Sequence, residues 1–470
     1  MRHSVVEQFT RLIELNSDEP TSHFKRGMAY GMLGKYGEAI RDLTKAIELN
    51  PEYALAYHSR GLVHRRLGKY GEAIVDLTKA IKLNPKFAMA YRNRGIVYRR
   101  LGKYEEAIKD HTKAIELNPQ LVLANISRGI SYGRLGKHQE AIQDFTKAIE
   151  FNPKYAPAYH NRGISYGRLG KHQEAIQDFT KAIEFNPDYA WAYHNRGLAY
   201  RMLGKNGEAI VDLTKAIKLN PAYAWAYHNR GLAYRMLGKH EEAVKDCTEA
   251  IRLDLEYAWA FNSRGLAYQG LGKYEDAIVD HTKAIELDPE YALAYNSRGL
   301  AHQGLGEHEE AIENFTGAIE LDPTYAWAYH SRGTAYETLG KYEEAIADYS
   351  RAIKLAEQAI AYHNRDLIYD ELGEYEGAIK NHIRTIELTR EDALAFYKRR
   401  LDYLRLEKTE GAIADYSRPI ELNSEDADCY YYRGKASYRL LLHKLAATDY
   451  DRAIELNRLY GNSYYTYDGE

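Results

Sequence analysis

The sequence has very little cysteine and no long apolar segment, and each absence excludes a class of protein. Its only 2 cysteines among 470 residues, Cys247 and Cys429, lie far apart, which favours free thiols in a reducing compartment over a disulfide. No window approaches the roughly 20 apolar residues of a membrane-spanning helix. Residues 1–7 lack the apolar core of a signal peptide. We therefore expect a cytoplasmic protein without a membrane partner.

An excess of one charge is also missing, and so are the patterns of common enzyme sites. The 64 Lys and Arg residues nearly balance the 67 Asp and Glu residues, and the net charge of −3 excludes the overall basic character of many nucleic-acid binders. No paired nucleophile and base, phosphate-binding loop or cluster of metal ligands stands out in the sequence. We therefore expect no cofactor, no metal, no catalytic residues and no nucleic-acid partner.

What the sequence does contain is one unit repeated every 34 residues. The pattern Tyr-x-x-Arg-Gly recurs at 57–61, 91–95, 159–163 and 227–231. In the unit 54–85, apolar residues recur at helical spacing on both sides of a Leu-Gly-Lys corner. Gly68 favours the end of a first helix, and Asn84 followed by Pro85 favours the end of a second. Each unit therefore predicts a pair of helices.

This pattern resembles the tetratricopeptide repeat, or TPR. In a TPR the first helix carries an aromatic residue, a Gly and a Tyr, and the second helix carries an Ala, then an aromatic residue or a Leu, then another Ala and a closing Pro. The resemblance covers nearly the whole chain. It implies an all-α fold, an α-solenoid in which stacked antiparallel helix pairs form a right-handed superhelix. It divides the chain into an N-terminal half repeat at 1–19, thirteen repeats at 20–460 and a Tyr-rich tail at 461–470. Pro419 lies inside a predicted helix, which it should kink or end early.

Two charged columns recur through the repeats and are predicted to pair. An Arg precedes the Gly position of every repeat, and an Asp, or twice an Asn, lies at one position of every second helix. Because a carboxylate can meet the planar fork of Arg with two hydrogen bonds, pairs such as Arg196 with Asp212 predict a structural ladder. An Arg column that binds anionic ligands is the alternative, and the column of carboxylates favours the ladder.

Amide side chains form a column immediately before these arginines. Its asparagines include Asn93, Asn161, Asn195, Asn229 and Asn364. The column resembles the asparagine ladder that lines the TPR superhelix of O-GlcNAc transferases and holds peptide main chain. In TPR proteins the first helix of each repeat lines the concave face, so the resemblance implies a groove for an extended peptide. Hydrogen bonds to neighbouring helices are the open alternative, since an amide both donates and accepts.

Rings occupy other positions that the resemblance places in the groove. These positions carry His160, His194, His228, Trp191, Trp225 and Trp259. The His column lacks the Cys, Asp or close His partners that a metal needs, which favours polar groove lining. The indoles predict either stacking on a ligand or packing between repeats.

Charge changes sign along the same set of positions. Repeats two to seven carry arginines, among them Arg100, Arg134 and Arg168, while later repeats carry Gln and then acidic residues such as Glu337. The change predicts a groove that orients an extended ligand, acidic segment first. Ordinary solvated helix ends are the alternative.

Two functions compete on these observations. The first is a protein–protein interaction scaffold that binds an extended peptide or protein segment in the concave groove, as the resemblance implies. The second is a self-assembling structural protein. Terminal repeats need polar caps, whereas apolar residues at 5–13 and tyrosines at 430–450 lie where such caps belong. Head-to-tail contacts through the solenoid ends would then build homo-oligomeric filaments.

Overall fold

A computed structural model describes residues 2–356, 359–388, 398–399, 402–403, 405–406, 408–422, 425 and 427–457. Within these residues the chain forms 26 α-helices and no strand. It divides into two compact units, Met1–Leu237 and Gly238–Glu470, here called unit 1 and unit 2. The all-α fold of tandem helices is thus confirmed, while the predicted tail at 461–470 lies outside the described residues.

Unit 1 contains fourteen of these helices, and helices that follow one another within the unit pack together. They are α1 (Arg2–Leu15), α2 (Pro20–Met32), α3 (Tyr36–Leu49), α4 (Ala54–Arg66), α5 (Tyr70–Leu83), α6 (Ala88–Arg100), α7 (Tyr104–Leu117), α8 (Val122–Arg134), α9 (His138–Phe151), α10 (Ala156–Arg168), α11 (His172–Phe185), α12 (Ala190–Met202), α13 (Asn206–Leu219) and α14 (Ala224–Met236).

Unit 2 contains the other twelve helices of the described residues. They are α15 (His240–Leu253), α16 (Ala258–Gly270), α17 (Tyr274–Leu287), α18 (Ala292–Gly304), α19 (His308–Leu321), α20 (Ala326–Thr338), α21 (Tyr342–Ala356), α22 (Ala359–Glu371), α23 (Tyr375–Leu388), α24 (Thr409–Leu422), α25 (Ala427–Arg439) and α26 (His443–Leu456).

The helix ends lie where the repeat pattern predicts them. After α4, Gly68 takes a φ of 74°, a left-handed conformation that costs Gly little. After α5, Asn84 is extended, with φ −135° and ψ 90°, as expected for the residue before a proline. The same two terminators recur in most repeats, which is why the helices alternate so regularly.

Small residues let the two helices of a repeat approach closely. A Cβ atom added to Gly61 of α4 would lie 2.9 Å from Leu77 Cγ of α5. Ala73 and Ala80 are completely buried on the same helix. The core therefore lies between the helices of each pair and between neighbouring pairs, so every repeat depends on its neighbours for burial.

The predicted ladder of Arg and Asp is present. In unit 1, Arg196 of α12 donates from Nε to Asp212 Oδ2 at 2.6 Å and from Nη2 to Asp212 Oδ1 at 2.8 Å. Its Nη1 donates to Thr180 Oγ1 of α11 at 2.9 Å, which joins this repeat to the preceding one. In unit 2, Arg332 makes the equivalent three hydrogen bonds. The structural interpretation of the two columns is thereby confirmed.

Helix α24 contradicts one of the two outcomes expected for Pro419, an early end of the helix, while a kink stays a prediction. The helix spans Thr409–Leu422, so it does not end early at the proline. Proline costs the helix one backbone hydrogen bond. However, Ala412, Tyr416 and Ile420 are buried along the same helix, and this packing holds the last turn in place.

Candidate binding cleft

The first helices of consecutive repeats form one surface of unit 1. Helices α2, α4, α6, α8, α10, α12 and α14 each contact the next in this series. Side chains at one repeat position on these helices therefore lie side by side, and the columns predicted from the sequence become rows on this surface.

A cleft of about 810 Å³ opens on this surface between α8 and α14. Seven of the predicted site residues line it, namely Arg134, His160, Arg168, Trp191, His194, Asn195 and Trp225. The other predicted residues of unit 1, Asn93, Arg100, Asn161, Asn229 and His228, are not part of its lining. Trp259 and Asn364 belong to unit 2. The structure thus brings half of the predicted residues together.

A missing side chain opens the cleft. Arg99 and Arg201 occupy one position of α6 and α12, but Gly167 occupies the same position of α10. A Cβ atom at Gly167 would meet no other atom within 4 Å, so the backbone there borders open space. A long side chain at this position would extend into the cleft, and Gly167 leaves room for a ligand instead.

Two indole rings form the apolar part of the lining. The side chains of Trp191 and Trp225 remain 55% and 51% exposed, although an indole usually buries most of its surface. The ring of Trp191 lies 4.9 Å from the ring of Tyr223, in a tilted arrangement that leaves one face open. The Trp191 ring therefore packs between repeats, which is one of the two alternatives for the tryptophan column, and stacking of the exposed indole surface on a ligand stays a prediction.

The histidines lie beneath this surface and connect neighbouring repeats. His160 Nε2 lies 2.9 Å from Asn195 Nδ2, and His160 Nδ1 lies 3.1 Å from the hydroxyl of Tyr189. His194 makes the same two contacts, with Asn229 and Tyr223, in the next repeat. Burial lowers the pKa of both histidines to about 4. The rings are therefore neutral at physiological pH.

The amide column is partly occupied by these contacts. Asn93 and Asn364 bond to the rings of His58 and His330 in the same way, at 2.9 Å and 3.2 Å. Asn161 donates to the carbonyl oxygen of Pro157 in its own helix at 2.7 Å. Hydrogen bonds between neighbouring helices, the open alternative from the sequence, are thus present, and contact with peptide main chain stays a prediction.

Arginines without acidic partners extend the surface from α4 to α12. The Nε atoms of Arg92, Arg99 and Arg201 are buried and have no hydrogen-bond partner. Burial lowers the pKa of Arg99, and the nearby charges of Arg100 and Arg134 lower it further. By contrast, hydrogen bonding to an aspartate raises the pKa of a ladder arginine such as Arg162. The positive charges of the arginines without acidic partners repel one another, so an anion that binds between them would be stabilised.

Unit 2 carries different charges at the repeat position of Arg99 and Arg201. Gln269 and Gln303 occupy it on α16 and α18, and Glu337 occupies it on α20. Glu337 Oε2 accepts a hydrogen bond from the Tyr349 hydroxyl at 2.5 Å. Burial raises the pKa of Glu337, and the neighbouring charge of Glu371 raises it further. A groove that orients a ligand by this change of residue type stays a prediction, and the side chain of Asp370, at the same position of the next repeat, lies outside the described residues.

Several lining residues were not predicted from the sequence. Ile164, Leu198, Met202, His172 and Tyr223 also border the cleft. The repeat alignment does contain a signal for Met202, because it occupies the position of Arg134 and Arg168 and is 59% exposed. At this position the surface therefore changes from basic to apolar between Arg168 and Met202.

Matches to known families cover most of the chain. Models described as "TPR repeat" match residues 32–68, 61–102, 132–170 and 197–238. Models described as "Tetratricopeptide repeat" match 88–121, 156–189, 179–211, 224–257, 258–291, 290–358 and 330–390. Together they cover 32–121 and 132–390. No curated protein matches the sequence.

Solved structures with similar helices include YrrB, described as a TPR protein with an unusual peptide-binding site. It is 26% identical, with a TM-score of 0.36, over 40% of this chain and 97% of YrrB. A tetratricopeptide repeat protein from Parabacteroides merdae is 25% identical, with a TM-score of 0.44, over 53% of this chain and 98% of its own. Yeast Tom70 is 17% identical, with a TM-score of 0.46, over 83% and 96%.

None of the helices in the part of the chain that the structure describes is both long enough and apolar enough to cross a lipid bilayer.

Proposed function

We propose that this chain, which belongs to the tetratricopeptide repeat family, binds an extended protein segment in the cleft of unit 1. Members of this family generally act as non-enzymatic scaffolds for protein–protein interaction. The observation that carries the proposal is the pairing of half-exposed indoles with basic side chains around one opening. Protein ligands commonly anchor aromatic or aliphatic side chains in such pockets.

The apolar contact would come from Trp191, Trp225 and Met202. Their exposed surfaces lie around the space that Gly167 leaves open. Large exposed apolar areas rimmed by polar groups usually mark interaction sites. A bulky apolar side chain of the partner would enter between the two indoles and displace water from both.

The polar contact would come from Arg134 and Arg168 at the cleft and from the arginines beyond it. Burial lowers the pKa of Arg92 and Arg99, and a carboxylate of the partner that binds near them would stabilise their positive charges. A hydrogen bond to a charged group contributes about 1.5–3 kcal/mol. The partner segment should therefore combine bulky apolar residues with Asp or Glu.

The amides have a mixed role in this proposal. Asn195 and Asn229 hold the buried histidines, so they set the spacing of the repeats beneath the cleft. Asn161 contacts only its own helix through its amide nitrogen, and it is the asparagine whose other groups are best placed to meet a ligand main chain.

Exchanging both cleft tryptophans for leucine should weaken binding by at least about 30-fold, since a central aromatic contact contributes about 2 kcal/mol or more. Leucine is suitable because Leu55 and Leu293 occupy the same repeat position elsewhere in the chain. The probe is a labelled peptide selected from a random library on the full chain, and fluorescence anisotropy measures its affinity.

The matched control is Trp259→Leu, at the same repeat position but in unit 2. It should leave the affinity unchanged. Equal affinity for the wild type and the Trp191→Leu, Trp225→Leu variant would place the binding site elsewhere, and so would a library that yields peptides without acidic residues.

Self-assembly is a second candidate, because apolar side chains are exposed on α1 and at the corner between α25 and α26. Leu15 is 84% exposed, Tyr438 60% and Leu441 74%. Leu441 also has a φ of 59°, a left-handed conformation that strains a residue with a side chain, at a corner position where most other repeats have glycine. Apolar residues kept exposed in this way favour a contact with another copy of the chain.

Leu441→Gly should therefore relieve the strained backbone and also remove self-association. We expect wild-type sedimentation coefficients to increase with concentration and those of the variant to stay at the monomer value. A single monomeric wild-type species over the whole range would reject this second candidate and leave the scaffold function unaffected.

A further inference from the structure

Three buried side chains in unit 2 depart from the repeat pattern and meet at one point. Asp366 lies on α22, His382 on α23, and Asp402 follows in the next repeat. Their side chains are at most 1% exposed. Donor atoms of all three lie within 4.8 Å of one another.

The two aspartates replace small or apolar residues of most other repeats. Asp366 occupies the position of Gly333, where an added Cβ would lie 2.8 Å from the ring of Tyr349. Asp402 occupies the position of Ala301 and Ala335, both of which are buried. A buried carboxylate costs several kcal/mol unless a cation or hydrogen-bond donors compensate it. Two such replacements around one histidine therefore require a specific compensating group.

The contacts within the cluster do not satisfy its polar atoms. His382 Nε2 lies 2.8 Å from Asp366 Oδ1 and 3.4 Å from Asp402 Oδ2. Nevertheless, these three atoms are buried without a hydrogen bond of acceptable geometry. One imidazole nitrogen can donate at most one proton, and the two carboxylate oxygens can only accept. Three electron-pair donors thus converge on one place.

The opposite oxygens of both aspartates face cationic side chains. Asp366 Oδ2 lies 3.9 Å from Lys398 Nζ, and Asp402 Oδ1 lies 3.4 Å from Arg405 Nη1. Each carboxylate therefore has one oxygen toward a cation and the other toward His382. Outer partners that orient a ligand in this way are typical of metal sites.

Other repeats of the chain show how a histidine at the position of His382 packs when no aspartate lies beside it. His111 and His281 occupy its repeat position, and each ring packs over a glycine, Gly95 or Gly265. Burial lowers the pKa of both rings to about 3. A histidine at this position is thus an ordinary packing residue, and only the repeat with Asp366 surrounds it with oxygen ligands.

We propose that Asp366, His382 and Asp402 form a binding site for a divalent transition-metal ion, with Zn²⁺ as the best match. Imidazole nitrogen and carboxylate oxygen are both zinc ligands, at about 2.0–2.2 Å, and tetrahedral coordination at that length separates ligand atoms by roughly 3.3–3.6 Å. The 3.4 Å between His382 and Asp402 fits this range, and the 2.8 Å between His382 and Asp366 would have to widen by about half an ångström when the ion binds. Ca²⁺ and Mg²⁺ fit less well, because they prefer six or more oxygen ligands.

Such an ion would join α22, α23 and the following repeat by bonds instead of by apolar packing. Water would complete the coordination, since three protein ligands leave at least one position of a zinc ion open. The site would be structural, and binding would stabilise unit 2 in proportion to the metal concentration.

The test uses the full chain, stripped of metal with a chelator and then titrated with Zn²⁺. Mass spectrometry of the dialysed protein should give one zinc ion per chain above the background, and the melting transition should move upward with added Zn²⁺. Asp366→Gly and Asp402→Ala introduce the residues that other repeats use at these positions, so both variants should fold. They should lose the melting shift and weaken zinc affinity by at least about 100-fold, because a direct ligand is removed.

His281→Leu is the control, since Leu213 shows that leucine fits this position under a glycine. It should keep both the bound zinc and the melting shift. A wild-type chain that binds no zinc would overturn the proposal and identify the cluster as a closed ion network. Equal zinc binding by the wild type and Asp366→Gly would overturn it too, since the metal would then lie on other histidines.

Discussion

Lowering the pH from 7 to 5 should unfold unit 1, because its buried histidines must stay neutral for the repeats to pack. Burial lowers the pKa of His58, His160, His194 and His228 to about 4, and that of His111 to about 3. In the unfolded chain the same side chains have a pKa near 6.5. Between these values the unfolded chain binds protons that the folded chain excludes, so the free energy of unfolding falls as the pH falls.

The expected effect is large because the five contributions have the same sign. At pH 5 each histidine removes about 2 kcal/mol, and the five together about 10 kcal/mol, which is comparable to the whole stability of a typical domain. The loss should begin near pH 6.5 and be nearly complete near pH 4. Burial raises the pKa of Asp110 and Asp178, which opposes the histidines. Urea unfolding followed by circular dichroism across this pH range measures the change.

The chain itself provides a control for this prediction. Asn262 and Asn296 of unit 2 occupy the repeat position of His160, and both are buried. Asn262 Nδ2 donates to the Tyr291 hydroxyl at 3.4 Å, so an amide can keep this contact between repeats. The variant with asparagine at His160, His194 and His228 should lose only about 4 kcal/mol at pH 5, from the two remaining histidines. If it loses as much as the wild type, other groups cause the acid unfolding.

The repeat pattern predicted the helices because each terminator acts locally. Gly68 ends a helix through its own backbone freedom, and Asn84 does so through the proline that follows it. The Arg and Asp ladder could be predicted from the sequence equally well, because both partners recur at a fixed spacing and their chemistry is complementary. The early end of the helix expected at Pro419 was wrong because tertiary packing of the helix compensates a local cost that the sequence alone overstates.

The candidate site was only partly predictable, because it depends on contacts between columns. The histidine column was predicted to line the groove, and His160 does border the cleft. Its contacts with Asn195 and Tyr189 could not be predicted from the sequence. The cleft itself depends on Gly167, which has no side chain to fill the space beside it. The cluster around His382 was missed for a related reason. Asp366 is visible as an exception in its own column, but its meaning requires knowing that the residue sixteen positions later packs over it.

Replacing Arg196 with alanine should lower the free energy of unfolding of unit 1 by about 3–5 kcal/mol, as expected when one partner of a buried ion pair is removed. The side chains of Arg196 and Asp212 are only 17% and 6% exposed. The guanidinium also lies 5.7 Å over the ring of Tyr193 and holds Thr180 of the preceding repeat. Its loss would leave the Asp212 carboxylate buried without a counter-charge and break a link between repeats.

The repeats of unit 2 supply the control, because Asn314 occupies the ladder position of Asp212 there. Arg298 Nε donates to Asn314 Oδ1 at 2.6 Å, so an amide keeps one hydrogen bond of the pair. Asp212→Asn should therefore cost less than Arg196→Ala, about 1–2 kcal/mol, because the amide keeps one hydrogen bond to the Arg196 guanidinium, whose charge remains partly exposed to solvent. Replacing both partners, by Arg196→Met with Asp212→Leu, should be nearly neutral, since desolvation of the ion pair offsets most of its attraction. Urea unfolding at neutral pH ranks the three variants, and an Arg196→Ala transition that coincides with the wild type would show that the ladder is too well solvated to stabilise the repeats.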